Sequence, residues 1–294
     1  MNYSVAQASR IGGRKINQDR AAWLATDAAL LMVVADGMGG HLQGEVAAQI
    51  AIDTLLESFR REAQTRLADP ARFLADSLRL AHRTIVRYSA DCRIPLHAAP
   101  RTTCIACVVQ DARASWAHAG DSRLYLIHGQ ATGAARVTRT RDHSLVQRLI
   151  DAGRLSHAEA SSHPSRHRVF SCLGGDEPPQ IEVSPPVALQ DGDLIALCTD
   201  GAWAPLGDTL ATELGRSPLT NSVPHLLEAA EQAAGPDGDN LTLLVMRWEG
   251  SEPEASSRAG TPTSAPRAGL SDEDIGHAVA KLRQRLPHSS NGAS

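Results

Sequence analysis

Residues 33–41 read VVADGMGGH: an apolar run, one carboxylate, and then three glycines and a histidine within five positions. The run starts further back, at Ala28, and Ala28–Ala35 reads AALLMVVA with no polar residue. That pattern predicts a buried strand. Such a strand is a rigid post for the acid at its end, Asp36. Glycines beside the acid let the backbone turn close to whatever the acid holds.

The same placement recurs along the chain. Asp200 ends DLIALCT and is followed by Gly201. Asp239 precedes NLTLLVMRW, with Asn240 beside it. Asp121 stands in the turn between ASWAHAG and SRLYLIHG, and Asp19 lies in Asn17-Gln18-Asp19-Arg20 before another apolar stretch. Any one of these acids alone reads as a turn cap. Gathered at one edge of a sheet, they would repel one another and require a cation. Oxygen-only donors suit magnesium or manganese, whereas zinc takes histidine or cysteine. None of the five acids has a Cys or His placed as an obvious co-ligand, His41 excepted. Two such ions sharing a water lower its pKa, which equips a site for phosphate-ester hydrolysis. Arg14, five residues before Asp19, is the candidate cation for a phosphate, because a guanidinium fork matches phosphate oxygens. Taken alone, Arg14 reads as a surface arginine in Gly12-Gly13-Arg14.

Composition narrows the class. The 294 residues are 42% hydrophobic and 21% charged, with a net charge of −4, as in a soluble globular protein. The negative balance argues against nucleic acid or an anionic membrane as the main partner. The first residues, MNYSVAQASR, lack the apolar core of an export signal. The longest apolar run falls far short of the roughly 20 residues a spanning helix needs. The expectation is a cytoplasmic protein. Its five cysteines then read as free thiols. Cys104 and Cys107 have CxxC spacing, but on a strand such a pair faces opposite sides and packs in the core.

Residues 1–249 read as one α+β domain. Two long amphipathic helices separate the first strands from TTCIACVVQ, and Asp69-Pro70 opens the second of them. About 142–176 the pattern becomes a helical flap, with a capping box at Ser156–Glu159. Residues 250–270 read as a flexible linker rich in Ser, Pro, Ala, Gly and Thr. Residues 271–287 form a capped amphipathic helix with Ile275, Val279, Leu282 and Leu286 on one stripe. That helix either docks on its own domain or frays in solution, or else docks a partner. Residues 288–294 read as disordered.

The segments RKINQDR, VVADGMGGHLQGEVAA, TTCIACVV, AHAGDSRLYL, TRDHSLVQRLIDAGRLSHAEA, CTDGAW and GDNLTLLVM, in that order, resemble the metal-dependent protein Ser/Thr phosphatases of type 2C in their bacterial form. The resemblance runs from about Ser9 to Val245. It implies a four-layer α-β-β-α sandwich of two antiparallel sheets flanked by helices. It implies that Asp36 bridges two manganese or magnesium ions, that the Gly37 carbonyl binds one, and that Asp200 and Asp239 complete the other. Asp121, with Asp200, matches the acid pair of a third, weaker ion. Asp19 matches an acid that holds metal-bound water, and Arg14 the phosphate-binding arginine. The implied reaction is hydrolysis of phosphoserine or phosphothreonine by a hydroxide bridging the two metal ions, without a phosphoenzyme. The implied partner is a phosphorylated protein, either a Ser/Thr kinase or its target. The rival reading is a pseudophosphatase, a module that binds a phosphoprotein or kinase without turnover. The retained acids speak against it. Two departures stand out. Met38 occupies the place where eukaryotic members often carry a histidine proposed as general acid, which leaves His41 or a water for that role. His167 stands where bacterial relatives usually have asparagine.

Overall fold

The computed structural model describes residues 1–38, 43–128, 136–160, 162–207, 209–214 and 217–250. His41, the linker beyond Gly250, the amphipathic stretch 271–287 and the last residues 288–294 lie outside them.

In chain order the elements are β1 (Tyr3–Arg10), β2 (Asp19–Ala25), β3 (Ala29–Met38), α1 (Gly44–Glu62), α2 (Pro70–Asp91), β4 (Arg101–Thr102), β5 (Cys104–Gln110), β6 (Arg113–Ala119) and β7 (Arg123–His128). There follow β8 (Arg136–Arg139), the flap helices α3 (Leu145–Asp151) and α4 (His157–Ala160), β9 (Glu182–Val183), β10 (Val187–Ala188), β11 (Leu194–Cys198), α5 (Asp200–Leu206), α6 (Thr209–Glu213), α7 (Leu219–Ala234) and β12 (Leu241–Trp248). One sheet has the order β1-β12-β11-β7-β8. The other has the order β10-β6-β5-β3-β2, with β4 on β3 and β9 on β6. The pairs β1–β12, β11–β12, β11–β7, β2–β3, β3–β5 and β5–β6 are all antiparallel.

The apolar run of β3 is explained by its two neighbours. Leu30, Met32 and Val34 face the other sheet and pack with Leu124, Leu197, Leu244 and Met246. Leu31, Val33 and Ala35 face outward and pack with Ile52, Leu55, Leu74 and Leu78 of α1 and α2. A helix layer of α5, α6 and α7 covers the outer face of the first sheet in the same way, through Ala202, Leu210, Val223 and Leu227. The result is the expected α-β-β-α sandwich. Each fully buried Leu or Ile contributes roughly 1.5–3 kcal/mol, so the strands are stiff supports for what stands at their ends.

The same two-sidedness separates Cys104 from Cys107. Cys104 belongs to the helix-facing layer and Cys107 to the layer between the sheets. All five cysteines are unpaired. Asp69 caps α2 by accepting a hydrogen bond from the Arg72 amide at 3.0 Å, with Pro70 in the first turn. In the flap, the Ser156 amide donates to Glu159 Oε2 at 2.9 Å and the Glu159 amide to Ser156 Oγ at 3.3 Å. Among the described residues, no helix is long and apolar enough to cross a membrane.

Candidate active site

Strand pairing builds the site. Asp19 opens β2 and lies directly opposite Asp36 of β3. Asp36 stands inside its strand and not at its end, because Gly37 and Met38 go on to pair with Thr102 and Arg101 of β4. β11 delivers Asp200 to the first position of α5, and its partner β12 starts just after Asp239 and Asn240. Asp121 sits between β6 and β7, and β7 pairs with β11. Asp19 and Asp36 come from one sheet, Asp200 and Asp239 from the other, and Asp121 from the turn that crosses between them, so the acids meet at one edge of the sandwich and not of a single sheet as expected. Each of Asp19, Asp200, Asp121 and Asp239 acts electrostatically on Asp36.

The backbone under these acids is tightly held. The Asp36 carbonyl accepts from the Thr103 amide at 2.9 Å and from Thr102 Oγ1 at 2.8 Å. The start of α1 lies against Gly37, and a Cβ on Gly37 would stand 2.2 Å from the Gly44 carbonyl oxygen. No side chain fits there. Asp19 is 3% exposed. Its Oδ2 accepts from Thr199 Oγ1 at 2.8 Å, and its Oδ1 is buried without a partner.

Asn240 ties the Arg14 loop to this edge. Its Nδ2 donates to the Ile11 and Ile16 carbonyls at 2.8 and 3.1 Å, and its Oδ1 accepts from the Gln18 amide at 2.8 Å. Gly12, at φ +61°, lies on the Asp239 turn, where a Cβ would stand 2.1 Å from the Asp239 carbonyl oxygen. Arg14 then reaches Asp239 with both ends of its fork, Nε at 2.9 Å and Nη2 at 2.8 Å.

On the far side, Trp203 Nε1 donates to the Asp121 carbonyl at 2.9 Å. The Arg123 guanidinium lies 3.3 Å from the centre of the Trp203 ring and fork-bonds Asp142, at the flap's start, at 2.8 and 2.7 Å. From the flap, His167 Nδ1 comes within 3.4 Å of Asp200 Oδ2.

Burial and mutual repulsion raise the proton affinity of Asp19, Asp36 and Asp121. Asp36 and Asp121 are pushed well above the usual carboxylate range, first by desolvation and then by neighbouring acids. Asp19 is pushed up to about 7, first by burial, while hydrogen bonds from Thr242 and Thr199 work in the opposite direction. Arg14 is held further up by its bond to Asp239. Oxygen donors so short of positive charge, one of them an orphaned buried carboxylate oxygen, fit a hard divalent cation.

The structure thus brings Arg14, Asp19, Asp36, Gly37, Asp121, Asp200 and Asp239 together, while His41 lies outside the described residues. It offers no thiolate nucleophile here. Cys104, Cys107 and Cys198 are buried, and burial pushes their thiols up. The sequence reading missed Thr199, Thr242 and Trp203. Thr199 and Thr242 carried a usable signal, as hydroxyls set in or beside otherwise apolar strands.

A family model described as Protein phosphatase 2C matches residues 6–235. The chain is similar to the serine/threonine protein phosphatase PstP of Mycobacterium tuberculosis, 33% identical over 225 residues. That match covers 74% of this chain and 40% of PstP, so the chain spans well under half of that relative's length. It is also similar to the protein phosphatase PhpP of Streptococcus pneumoniae, 28% identical over 224 residues, 76% of this chain and 88% of PhpP. Among solved structures, the catalytic domain of PstP in complex with 2 manganese ions superposes with a TM-score of 0.67 at 28% identity, over 83% of this chain and 97% of that one.

Proposed function

The chain belongs to the protein phosphatase 2C family, and from that premise we propose that it hydrolyses phosphoserine and phosphothreonine in proteins, using divalent cations held at the acid edge. The observation that carries this reading is the edge itself: five crowded carboxylates with the Arg14 fork at their rim. Asp36, the Gly37 carbonyl, Asp200 and Asp239 would hold two ions, manganese or magnesium. Asp121 with Asp200 would hold a third, weaker one. Bound there, the ions would supply an activated water and positive charge facing the phosphoryl group.

The chain's own groups do the rest. Arg14 pairs with Asp239 through a planar fork, and the same fork suits two phosphoryl oxygens. Its transfer from Asp239 to substrate would anchor the phosphate and offset the charge that spreads over it in the transition state. Asp19, gripped through Oδ2 by Thr199, keeps Oδ1 available to accept a hydrogen bond from water. With Cys104, Cys107 and Cys198 buried and their thiols pushed up, direct attack by water is the route the residues support.

The catalytic unit is read as residues 1–249, with the flap about 142–176 beside the site. The substrate is a phosphorylated protein. The finer reading is reversal of a bacterial Ser/Thr kinase, with the stretch 271–287 recruiting the partner. Deleting residues 251–294 should then slow dephosphorylation of that partner and spare short peptides; equal loss on both would sink the recruitment idea. Five unpaired cysteines suit a reducing, cytoplasmic setting.

Phosphate release tests the main reading. With manganese, the chain should turn over phosphoserine and phosphothreonine peptides. Tight phosphopeptide binding without turnover would make it a binding module. A preference for small phosphometabolites would make it a different hydrolase.

A further inference from the structure

Away from the acid edge, β6, β9 and the root of the flap bring three metal-ligating side chains together. His118 and Glu182 are directly opposite each other across the β6–β9 pair. His143, just before the Ser144 cap of α3, stacks on His118 with ring centres 4.5 Å apart and a tilt of 24°. His143 Nε2 lies 3.6 Å from Glu182 Oε2. One ligand atom from each residue falls within 4.8 Å of the other two, and among the described residues no other group of three does so. The two imidazoles are 1% and 2% exposed. His118 Nδ1 and His143 Nε2 are both buried without a hydrogen-bond partner.

We propose that His118, His143 and Glu182 form a site for a borderline divalent ion, zinc above all, separate from the acid edge. Two imidazoles and one carboxylate are donors zinc takes and magnesium does not seek. His118 Nε2 donates to the Arg141 carbonyl at 2.9 Å, which fixes the tautomer and leaves Nδ1 as a bare lone pair. Burial, and then His118, push His143 down to about 4, and burial also lowers His118. Both rings are therefore neutral near pH 7, the form a metal requires. The Glu182 side chain is 55% exposed, which gives the ion a path in and a solvent-facing position.

Ion entry rearranges His143. The Gly120 amide donates to His143 Nδ1 at 3.3 Å, so the ring proton rests on Nε2. Ligation through Nε2 sends that proton to Nδ1, with no net release, and ends the bond from Gly120. Near-parallel rings cannot aim two in-plane lone pairs at one point. The His143 ring must turn about its Cβ–Cγ bond, and the same turn frees Gly120. Gly120 precedes Asp121, and its carbonyl accepts from the His143 amide at 2.9 Å. Zinc at the flap root would therefore loosen the turn that carries Asp121. The binding itself rests on these three side chains alone, whereas its effect on Asp121 rests on the phosphatase reading above.

Zinc titration of the full chain by calorimetry, in excess magnesium to occupy the oxygen-only donors, tests the site. One zinc should bind in wild type and in Asp36→Asn, and cobalt in its place should show visible bands of a nitrogen-ligated ion. His143→Phe, which keeps a stacked ring, and Glu182→Gln should each weaken zinc at least tenfold. Unchanged binding in both variants, or loss of zinc in Asp36→Asn, overturns the site. If His143→Phe does not fold, Glu182→Gln at its exposed position decides alone. Manganese titration tests the coupling. Zinc should weaken the manganese site that Asp121→Asn removes. Zinc bound with no effect there overturns the coupling and leaves the site standing. No manganese bound by wild type at all overturns the phosphatase reading instead.

Discussion

The acid edge and the flap root are both buried clusters of titratable side chains, yet burial moves their protons in opposite directions. It favours the neutral form of any group. At the edge the neutral form is the protonated acid, so Asp36 and Asp121 rise well above their usual range. At the flap root the neutral form is the deprotonated ring, so His143 falls to about 4. The edge must gain a cation before its carboxylates can all ionise near neutral pH. The root already holds neutral rings, with a bare lone pair on His118 Nδ1. Donor chemistry divides them further, because hard oxygens suit manganese or magnesium and imidazoles suit zinc.

The largest expected effect comes from Asp36→Asn. Manganese-dependent turnover should fall at least about 100-fold, which is about 2.7 kcal/mol of barrier. Metal-free at pH 8, the same variant should melt higher than wild type, because an amide can be buried there with neither a bound proton nor a cation. His143→Phe should melt lower, because the Gly120 amide loses its acceptor. Thermal melts of both variants break the comparison if the two shifts have the same sign.

The pH dependence of stability comes next. An Asp has a pKa near 3.8 when unfolded and, for Asp19, about 7 when folded. Between those values the folded chain binds the extra proton, so stability falls as pH rises. His143 works the other way between about 4 and 6.5, where the unfolded chain binds more protons and stability rises with pH. From about pH 6.5 to 8 the gain from His143 levels off while the loss from the acids goes on. There the metal-free melting temperature should drop on the order of 5 °C, and manganese should raise it more at pH 8 than at pH 6.5. A flat profile would mean that the acids are not crowded.

Arg14→Ala should raise KM for a phosphopeptide about tenfold, and Arg14→Lys should restore only part of that, because an ammonium cannot fork. The Arg14 side chain is 56% exposed, so melting should barely move. The smallest effect belongs to Trp203→Phe. It removes the donor to the Asp121 carbonyl and keeps a ring near Arg123. Manganese affinity at the Asp121 position should fall only a few-fold, read by calorimetry.

Much of this was legible in the sequence, and the divide has a physical cause. The unbroken apolar run of β3 announced a strand with neighbours on both faces, and Cys104 and Cys107 followed from strand alternation alone. That the acids would gather could be read because each stands at or near a strand end, but not that they would come from two sheets. Register was not legible. Nothing local says that Asp19 faces Asp36, or that Arg14 reaches Asp239 across 225 residues. Trp203 gave no local sign that it would hold Asp121. The imidazole pair was hidden for the same reason. His118 and His143 have no shared period, and they meet because the flap root folds back on β6.

Metal-dependent phosphatase chemistry at the acid edge stands or falls on phosphate release from a phosphoserine peptide, measured with wild type and Asp36→Asn, in manganese and in EDTA. It predicts turnover by wild type in manganese, none in EDTA, and at least a 100-fold loss in Asp36→Asn. Turnover that survives EDTA, or that Asp36→Asn leaves intact, would contradict it.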